Sequence, residues 1–247
     1  MAEPFRVGFA PGVSPGKWFT RWEERLPDSP LAPRLVEPED QRRLLAEGEL
    51  DMCFVRLPLD RDGLHLIPLY EELPVVVAGK DHPVTTFDEV DVADLAAEHL
   101  LQDAAACPEW AAVAEEVREG RRVEPPPMTV AQAVEVAASG AGILVLPMSV
   151  ARLHQRKDVR AVPVTGVATT QVGLAWRTDN ADPRVETFVG IVRGRTERSS
   201  RQPDARPADA RPTDSGARPE ARRPGPGRGR GAGGARRRGG PGPRKGR

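Results

Sequence analysis

Four polar residues of this chain stand where strands end or helices begin, and such positions commonly supply groups that bind small molecules. They are Ser14, Arg56, Gln102 and Thr129. Ser14 lies in the glycine loop 11–16, where it can offer a hydroxyl and nearby backbone amides to a carboxylate, or cap the following helix. Arg56 can pair with a ligand carboxylate or, as we favour, with a local acid such as Glu37.

The other two candidates also have a structural alternative. Gln102 ends a predicted short strand, 99–102, where its amide can bond a ligand or satisfy the adjoining loop. Thr129 is followed by Gln132 at the spacing of a capping box, which explains the threonine without a ligand. Our hypothesis is that all four residues contribute to one ligand-binding site.

No arrangement typical of catalysis or of a metal centre accompanies these residues. The sequence offers no nucleophile with a base, no carboxylate pair and no phosphate-binding loop, so we predict a protein that is not an enzyme and needs no cofactor. The four histidines lack the short spacings of metal ligands. Cys53 and Cys107 are not predicted to form a disulfide.

Predicted strands and helices alternate along the chain, and they determine where the four candidate residues lie. Alternating apolar residues predict a strand at 5–9, and an apolar stripe of Trp18, Phe19 and Trp22 predicts the helix after the glycine loop. The order helix, glycine, buried strand, proline occurs twice, in 44–58 and 137–150. We therefore predict an α/β protein of two lobes with mainly parallel sheets, meeting at a cleft.

The charge of the chain divides into two unlike parts. Residues 1–194 hold 20 basic and 31 acidic residues, whereas 195–247 hold 16 basic and 5 acidic residues. The second part has 11 Gly, 8 Pro and no aromatic residue, which predicts a disordered basic tail. This tail suits non-specific contact with nucleic acid, or it only keeps the acidic body soluble.

The sequence contains neither an apolar run long enough to span a membrane nor a secretory signal. We therefore predict a cytoplasmic protein without membrane contact.

Four segments, in this order, resemble the effector-binding domain of LysR-type transcriptional regulators: EGELDMCFVRLP, PLYEELPVVVAGKDHP, VAQAVEVAASGAGILVLPMSVARL and VGLAWRTDNADPRVETFV. The resemblance implies the two-lobed fold of periplasmic binding proteins (type 2) within a domain at 1–194. Lobe one is then expected at about 5–74 and 170–194 and lobe two at about 76–163. Crossover segments near 71–77 and 163–171 are expected to join them.

The resemblance also implies a site and partners. The family places a hydroxyl residue at the position of Ser14, which favours effector binding there. It packs the first helix of one subunit against the other lobe of its partner, which implies a homodimer or a heterodimer with a LysR-type regulator. We accordingly expect the stripe of Trp18, Phe19 and Trp22 to supply both core and dimer surface.

The chain departs from the family pattern in two ways. A winged helix-turn-helix precedes this domain in LysR-type regulators, so we expect either a stand-alone sensing domain or a start codon placed too late. Many members carry a hydroxyl residue after the second strand, where this chain has the acidic segment 37–40. Acids there would repel a simple carboxylate, which leaves open an amine-bearing ligand or none.

Our functional prediction is a small-molecule sensing domain that regulates transcription through ligand-dependent lobe closure and dimerisation. A transport-type solute-binding protein has the same fold, but the missing export signal disfavours it. A further alternative is a remnant that only dimerises and whose tail binds nucleic acid.

Overall fold

The structure, a computed structural model, describes residues 3–194. The predicted tail, 195–247, and its predicted contact with nucleic acid lie outside the described residues. Nine strands and seven α-helices follow one another in the described part, with short 3₁₀ turns between some of them. They are β1 (Phe5–Phe9), α1 (Gly16–Arg25), β2 (Leu31–Leu35), α2 (Pro38–Ala46), β3 (Met52–Arg56), β4 (Leu64–Glu72), β5 (Pro74–Gly79), β6 (Val90–Asp91), α3 (Pro108–Val113), α4 (Glu115–Arg118), α5 (Val130–Ala138), β7 (Leu144–Pro147), α6 (Met148–Leu153), β8 (Val159–Thr165), β9 (Thr170–Arg177) and α7 (Pro183–Val192).

The strands form two separate sheets, and the predicted two-lobed α/β fold is confirmed. Lobe one holds the sheet β2-β1-β3-β9-β4, and lobe two holds the sheet β6-β8-β5-β7. Each of the four buried apolar clusters within residues 3–194 draws its core members from one lobe only. Each lobe therefore has its own hydrophobic core on both faces of its sheet. None of the described helices is long and apolar enough to cross a bilayer.

The prediction of mainly parallel sheets is wrong, because both sheets are mixed. β1 runs parallel to β2 and β3, but β9 runs antiparallel to β3 and β4. In lobe two, β5 runs antiparallel to both β7 and β8. The chain leaves lobe one through β4 and β5 and returns through β8 and β9, so the outgoing and returning strands must run in opposite directions where they pair.

The aromatic stripe of α1 belongs to the core of lobe one. The Trp22 ring stacks on Phe5 at 4.9 Å between centroids, and the Trp18 ring stacks on Phe54 at the same distance. Both tryptophans are buried, whereas Phe19 is partly exposed. The prediction of a core role is therefore confirmed for both tryptophans, and the expected role of this stripe in a dimer surface stays a prediction.

Two local predictions in lobe two are also corrected. The predicted strand 99–102 is reduced to a single bridge between Leu100 and Ile143. The segment PEWAAVAEEVREG, 108–120, predicts one helix that ends at Gly120, but the helix is broken at Ala114, whose extended ψ of 127° separates α3 from α4. The amide of Glu115, just after the break, donates to the carbonyl of Ala96 at 2.7 Å, so a tertiary hydrogen bond accompanies the interruption.

Candidate functional site

Arg56 stands at the end of β3, where four consecutive buried residues precede it. Its side chain is itself only 10% exposed, and it forms a salt bridge with the 5% exposed side chain of Glu72. Nε and Nη2 of Arg56 donate to Oε2 of Glu72 at 3.2 and 2.8 Å. The local acid is therefore Glu72, at the end of β4, and not Glu37 as the sequence suggested.

The same guanidinium connects the two lobes. Nη1 of Arg56 donates to the carbonyl of Pro11, in the glycine loop of lobe one, at 3.0 Å. Nη2 donates to the hydroxyl of Ser149, in α6 of lobe two, at 3.2 Å. Because Glu72 ends the last strand before the chain crosses over, one side chain contacts lobe one, the crossover and lobe two.

The glycine loop and α6 approach each other closely at this contact. Gly12 has a φ of +83°, and a Cβ built on it would lie 2.6 Å from the Ser149 hydroxyl. A residue with a side chain would therefore need both a left-handed backbone and more space between the lobes. We call the contacts among Pro11, Gly12, Arg56, Glu72 and Ser149 the interlobe contact.

A second feature is a cleft in lobe two of about 550 Å³. Its wall is largely apolar, and its only charged members are Asp103 and Glu124, both acidic. Glu124 is hydrogen-bonded by Arg122, which does not itself line the cleft. We call this feature the lobe-two cleft. It is lined by Leu101, Gln102, Asp103, Glu124, Pro125, Pro126, Pro127, Met128, Val130, Ala133, Leu144 and Leu146.

Gln102 lines the lobe-two cleft and is held in place from both ends. Its side-chain oxygen accepts a hydrogen bond from the amide of Val145 at 3.0 Å. Its backbone carbonyl accepts one from Nη2 of Arg122 at 2.7 Å. Since the side-chain oxygen is engaged, the amide nitrogen is the group left to donate to a ligand.

Thr129 lies between two residues that line the cleft, Met128 and Val130, and its predicted capping box is confirmed. The Thr129 hydroxyl accepts from the amide of Gln132 at 3.3 Å and donates to the Gln132 side-chain oxygen at 3.1 Å. The same oxygen accepts from the amide of Thr129 at 2.9 Å. A ligand would therefore compete with the capping box for this hydroxyl.

Ser14 is exposed in the glycine loop, and it does not cap α1, which was the structural alternative to ligand binding at this residue. The cap position is occupied by Pro15, which has no side-chain donor or acceptor. The structure thus places Gln102 in the wall of the lobe-two cleft, Thr129 between two residues of that wall, Arg56 in the interlobe contact and Ser14 at the surface of lobe one. None of three cavities formed by residues 3–194 is lined by all four, and their joint role in ligand binding stays a prediction.

Three polar residues near Arg56 were missed from the sequence. Glu72 and Gln41 are buried, and the Gln41 side-chain oxygen accepts from the amide of Arg56 at 3.2 Å. A signal for Gln41 was available, because it precedes Leu44 and Leu45 by three and four residues on the buried face of α2. Ser149, just after Pro147 in the sequence, is predicted to be a helix cap, but α6 begins earlier, at Met148, after a Pro147 cap.

Both cysteines are free and buried, in different lobes. Cys53 belongs to an apolar cluster of lobe one and Cys107 to one of lobe two. Burial raises the pKa of the Cys53 thiol to about 12. Burial also raises the pKa of Cys107, against a smaller opposite effect of its hydrogen bond to the backbone at Trp110. Neither thiol is therefore in an environment that favours the reactive thiolate.

Comparison with known proteins identifies the family. The family model of the LysR substrate binding domain matches residues 2–197, which is most of the chain. The chain belongs to this family. The resemblance of its four sequence segments to effector-binding domains of LysR-type regulators is thereby confirmed.

Two mycobacterial relatives carry the same name, "Probable hydrogen peroxide-inducible genes activator". The protein of Mycobacterium leprae (strain TN) is 29% identical over 186 residues, which cover 70% of this chain and 58% of the relative. The protein of Mycobacterium xenopi is 39% identical over 64 residues, covering 25% of this chain and 33% of the relative. This LysR-family chain thus matches only part of each of these relatives.

Solved structures share the fold over most of the described residues. The reduced form of the OxyR regulatory domain from Pseudomonas aeruginosa is 25% identical, with a TM-score of 0.57, covering 77% of this chain and 94% of that one. The effector binding domain of BenM with its effector benzoate is 21% identical, with a TM-score of 0.58, covering 77% and 90%. The likeness to BenM shows a common fold and nothing finer.

Proposed function

We propose that this LysR-family domain senses a small molecule by a change in how its two lobes meet, and that it regulates transcription through this change. The observation that carries the proposal is the interlobe contact of Arg56. A ligand that favours one arrangement of the lobes needs a contact whose loss or gain differs between arrangements. Arg56 supplies such a contact, because it binds Pro11 in lobe one and Ser149 in lobe two.

We further propose that the effector has an apolar body and an amine or a neutral polar group, and that it binds at the lobe-two cleft. Apolar residues form most of its wall, and its charged members, Asp103 and Glu124, repel an anion. Gln102 and Thr129 would contribute the polar contacts. Arg56 is a poor anchor for a ligand carboxylate in this arrangement, because Glu72 already neutralises it.

Thiol-based sensing of peroxide is a second candidate function. It is suggested by the names of the mycobacterial relatives and by OxyR having been solved in reduced and oxidized forms. A peroxide-reactive thiol is normally accessible and has a depressed pKa. Cys53 and Cys107 are buried, have raised pKa values and lie in different lobes, so the geometry favours an effector over a thiol switch.

Matched probes test the effector proposal. Benzylamine, benzyl alcohol and benzoate share one ring and differ in charge, and the methyl NMR signal of Met128 reports on the cleft that it lines. We expect benzylamine and benzyl alcohol at millimolar concentration to shift the Met128 signal and raise the Tm, and benzoate to do neither. A stronger response to benzoate than to benzylamine would contradict the proposed charge preference.

A wider screen and a variant test the sensing function itself. We expect a member of a metabolite panel to raise the Tm and to change the radius of gyration measured by small-angle X-ray scattering. Ser149→Ala removes the hydroxyl that accepts from Arg56 but keeps the fold of α6, so it should alter this change in radius. A panel that never stabilises the protein would argue against small-molecule sensing.

We propose that the domain acts as a homodimer or pairs with a LysR-type regulator, since domains of this family form oligomers. We also propose that the basic segment 195–247 contacts nucleic acid through phosphate neutralisation. Deleting it should abolish duplex DNA retention in filter binding at low salt. Unchanged retention after the deletion would rule out a role for this segment in DNA binding.

A further inference from the structure

We propose that a second site, a basic groove along α6, binds organic polyanions that have an apolar body. The groove has a volume of about 750 Å³ and lies between α6, β8 and the turn that follows β5. Its charged members are four bases and one acid: Lys80, Arg152, Lys157, Arg160 and Asp88. We call it the α6 groove.

The four bases of the α6 groove are available for a ligand. None of them forms a salt bridge with a residue in the described range 3–194. Their neighbour Arg156 does not line the groove, and it pairs with Asp158 at 2.9 Å and with Glu135 at 3.2 Å. Asp158 and Glu135 thus form their salt bridges with Arg156 and not with the four bases of the groove.

This concentration of positive charge is unusual for this protein. Residues 1–194 hold 31 acidic and 20 basic residues, yet the α6 groove has four bases against one acid. Four like charges around one concavity repel each other, and a bound anion relieves that repulsion while adding charge-assisted hydrogen bonds. The chemistry of the groove therefore selects a ligand with several negative charges.

The remaining lining selects an apolar body. Val77, Met148, Val159 and Val162 line the α6 groove, and all are buried or half-buried. Phe87, which also lines it, is 59% exposed, although an aromatic ring of this kind is normally covered. A ligand with a ring or an aliphatic part would cover this surface, which a bare phosphate or sulfate would not.

The α6 groove is independent of the proposed effector site. The two cavities share no lining residue, and the net charges of their lining residues have opposite signs. A volume of about 750 Å³ falls within the range of small-molecule sites. A metabolite bound there would give the domain an input separate from its effector.

Methionine methyl NMR on the full chain tests this site, with ATP as the probe. The chain has four methionines, of which Met148 lines the α6 groove, Met128 lines the lobe-two cleft and Met52 is buried in lobe one. We expect ATP to shift the Met148 signal saturably and to leave Met52 and Met128 in place. Met148→Leu assigns the signal without a large change in volume.

Two double variants of equal charge separate the groove from general electrostatic attraction. Arg152→Ala with Arg160→Ala should weaken ATP binding at the groove by at least about fivefold, because two charged contacts are lost. Arg118→Ala with Arg121→Ala, on exposed arginines outside the groove, should leave binding unchanged. Equal weakening by both pairs would overturn the proposal.

Probe chemistry completes the test. Tripolyphosphate keeps the charge of ATP and adenosine keeps its rings, and each should shift Met148 only at higher concentration than ATP does. Tripolyphosphate acting as well as ATP would contradict a role for the apolar lining. If ATP shifts the Met128 signal instead of the Met148 signal, or shifts neither, the proposal that a polyanion binds in the α6 groove is wrong. This result would not affect the benzylamine test of the effector site.

Discussion

Arg56 is the residue on which the contact between the lobes depends most directly. Its charge is balanced by Glu72, which accepts two of its five N–H donors, and two more donate to the Pro11 carbonyl and the Ser149 hydroxyl. Both charged side chains are almost fully buried, so neither can recover its hydration if the other is removed. Removing one partner should therefore lower the stability of the protein by more than the net amount that the intact pair contributes.

We expect Arg56→Ala to lower the free energy of unfolding by about 3–5 kcal/mol, because Glu72 is left buried without its counter-charge. The change in the free energy of unfolding is measured by urea denaturation, with tryptophan fluorescence as the probe. Arg34→Ala is the control, since its salt bridge with Glu49 is half-exposed on both sides. Arg34→Ala should lower the free energy of unfolding by about 1 kcal/mol or less. Equal losses in the two variants would show that the pair at Arg56 is not effectively buried.

The two thiols should be unreactive in the folded protein. At pH 8 a pKa of about 12 leaves Cys53 with a thiolate fraction roughly 10³-fold below that of a free cysteine. We expect dithionitrobenzoate to modify neither cysteine of the native protein and both in guanidinium chloride. Rapid release of one equivalent of thionitrobenzoate, when the native protein reacts with the reagent, would instead support thiol-based sensing.

At the scale of elements, the glycine loop before α1 limits how closely the lobes approach. Gly12 and Gly140 have the same positive φ of +83°, but a methyl group added at Gly140 would meet no atom within 4 Å. The same methyl group added at Gly12 would meet Ser149 of the other lobe. These two glycines therefore separate the effect of backbone strain from that of the interlobe contact.

Gly140→Ala should destabilise the protein by about 1–2 kcal/mol through backbone strain alone. Gly12→Ala should cost more and should also enlarge the radius of gyration, because its methyl group collides with Ser149. Thermal denaturation and small-angle scattering of both variants give the comparison. An unchanged radius in Gly12→Ala would mean that the loop yields and the lobes do not move.

The details that were predicted correctly from the sequence depend on interactions between residues that are close together in the chain. The capping box of Thr129 and Gln132 lies within one helical turn, and the strand at 5–9 follows from its own alternating apolar residues. The two lobes followed from the repeated order of helix, glycine, buried strand and proline, and the family resemblance gave their bounds. The antiparallel pairing of β4 with β9 was missed, because it joins strands about a hundred residues apart whose local patterns carry no direction.

The candidate site was predicted less well than the fold, for the same reason. Arg56 was correctly expected to pair with an acid, but its partner lies 16 residues away and its interlobe acceptor, Ser149, lies 93 residues away. Ser14 was predicted to bind a ligand, and the capping role that was its alternative is excluded by Pro15 at the cap position of α1. Polar partners brought together by the tertiary fold have no spacing that sequence periodicity can detect.

At the scale of the whole molecule, the exposed apolar residues bear on self-association. Leu35 lies at the end of the edge strand β2 and is 55% exposed, as is Leu153 of α6 in lobe two. The Leu35 side chain can pack against another chain at this edge, although Pro33 and Arg34 in the same strand disfavour the addition of a further strand. Since Trp18 and Trp22 are buried in lobe one, β2 is the better candidate for the dimer surface beside α1.

We expect the protein to sediment as a dimer at micromolar concentration in analytical ultracentrifugation. Leu35→Arg should weaken the dimer at least tenfold, because it places a charge in an apolar contact. Leu153→Arg, at a position of equal exposure in lobe two, should leave the association unchanged. A monomer at all concentrations would refute the dimer, and a larger effect of Leu153→Arg would move its surface to α6.

Lobe two is one uninterrupted stretch of chain, from β5 to β8, and it departs from and rejoins lobe one at adjacent points. Glu72 and Thr170 face each other in the ladder of β4 and β9, so the two ends of that stretch are anchored side by side. A tight reverse turn of about four residues would suffice to reconnect them. Lobe two is thus an insertion between two paired antiparallel strands of lobe one. Replacing it with a short turn would give a smaller protein in which the folding of lobe one can be measured by itself.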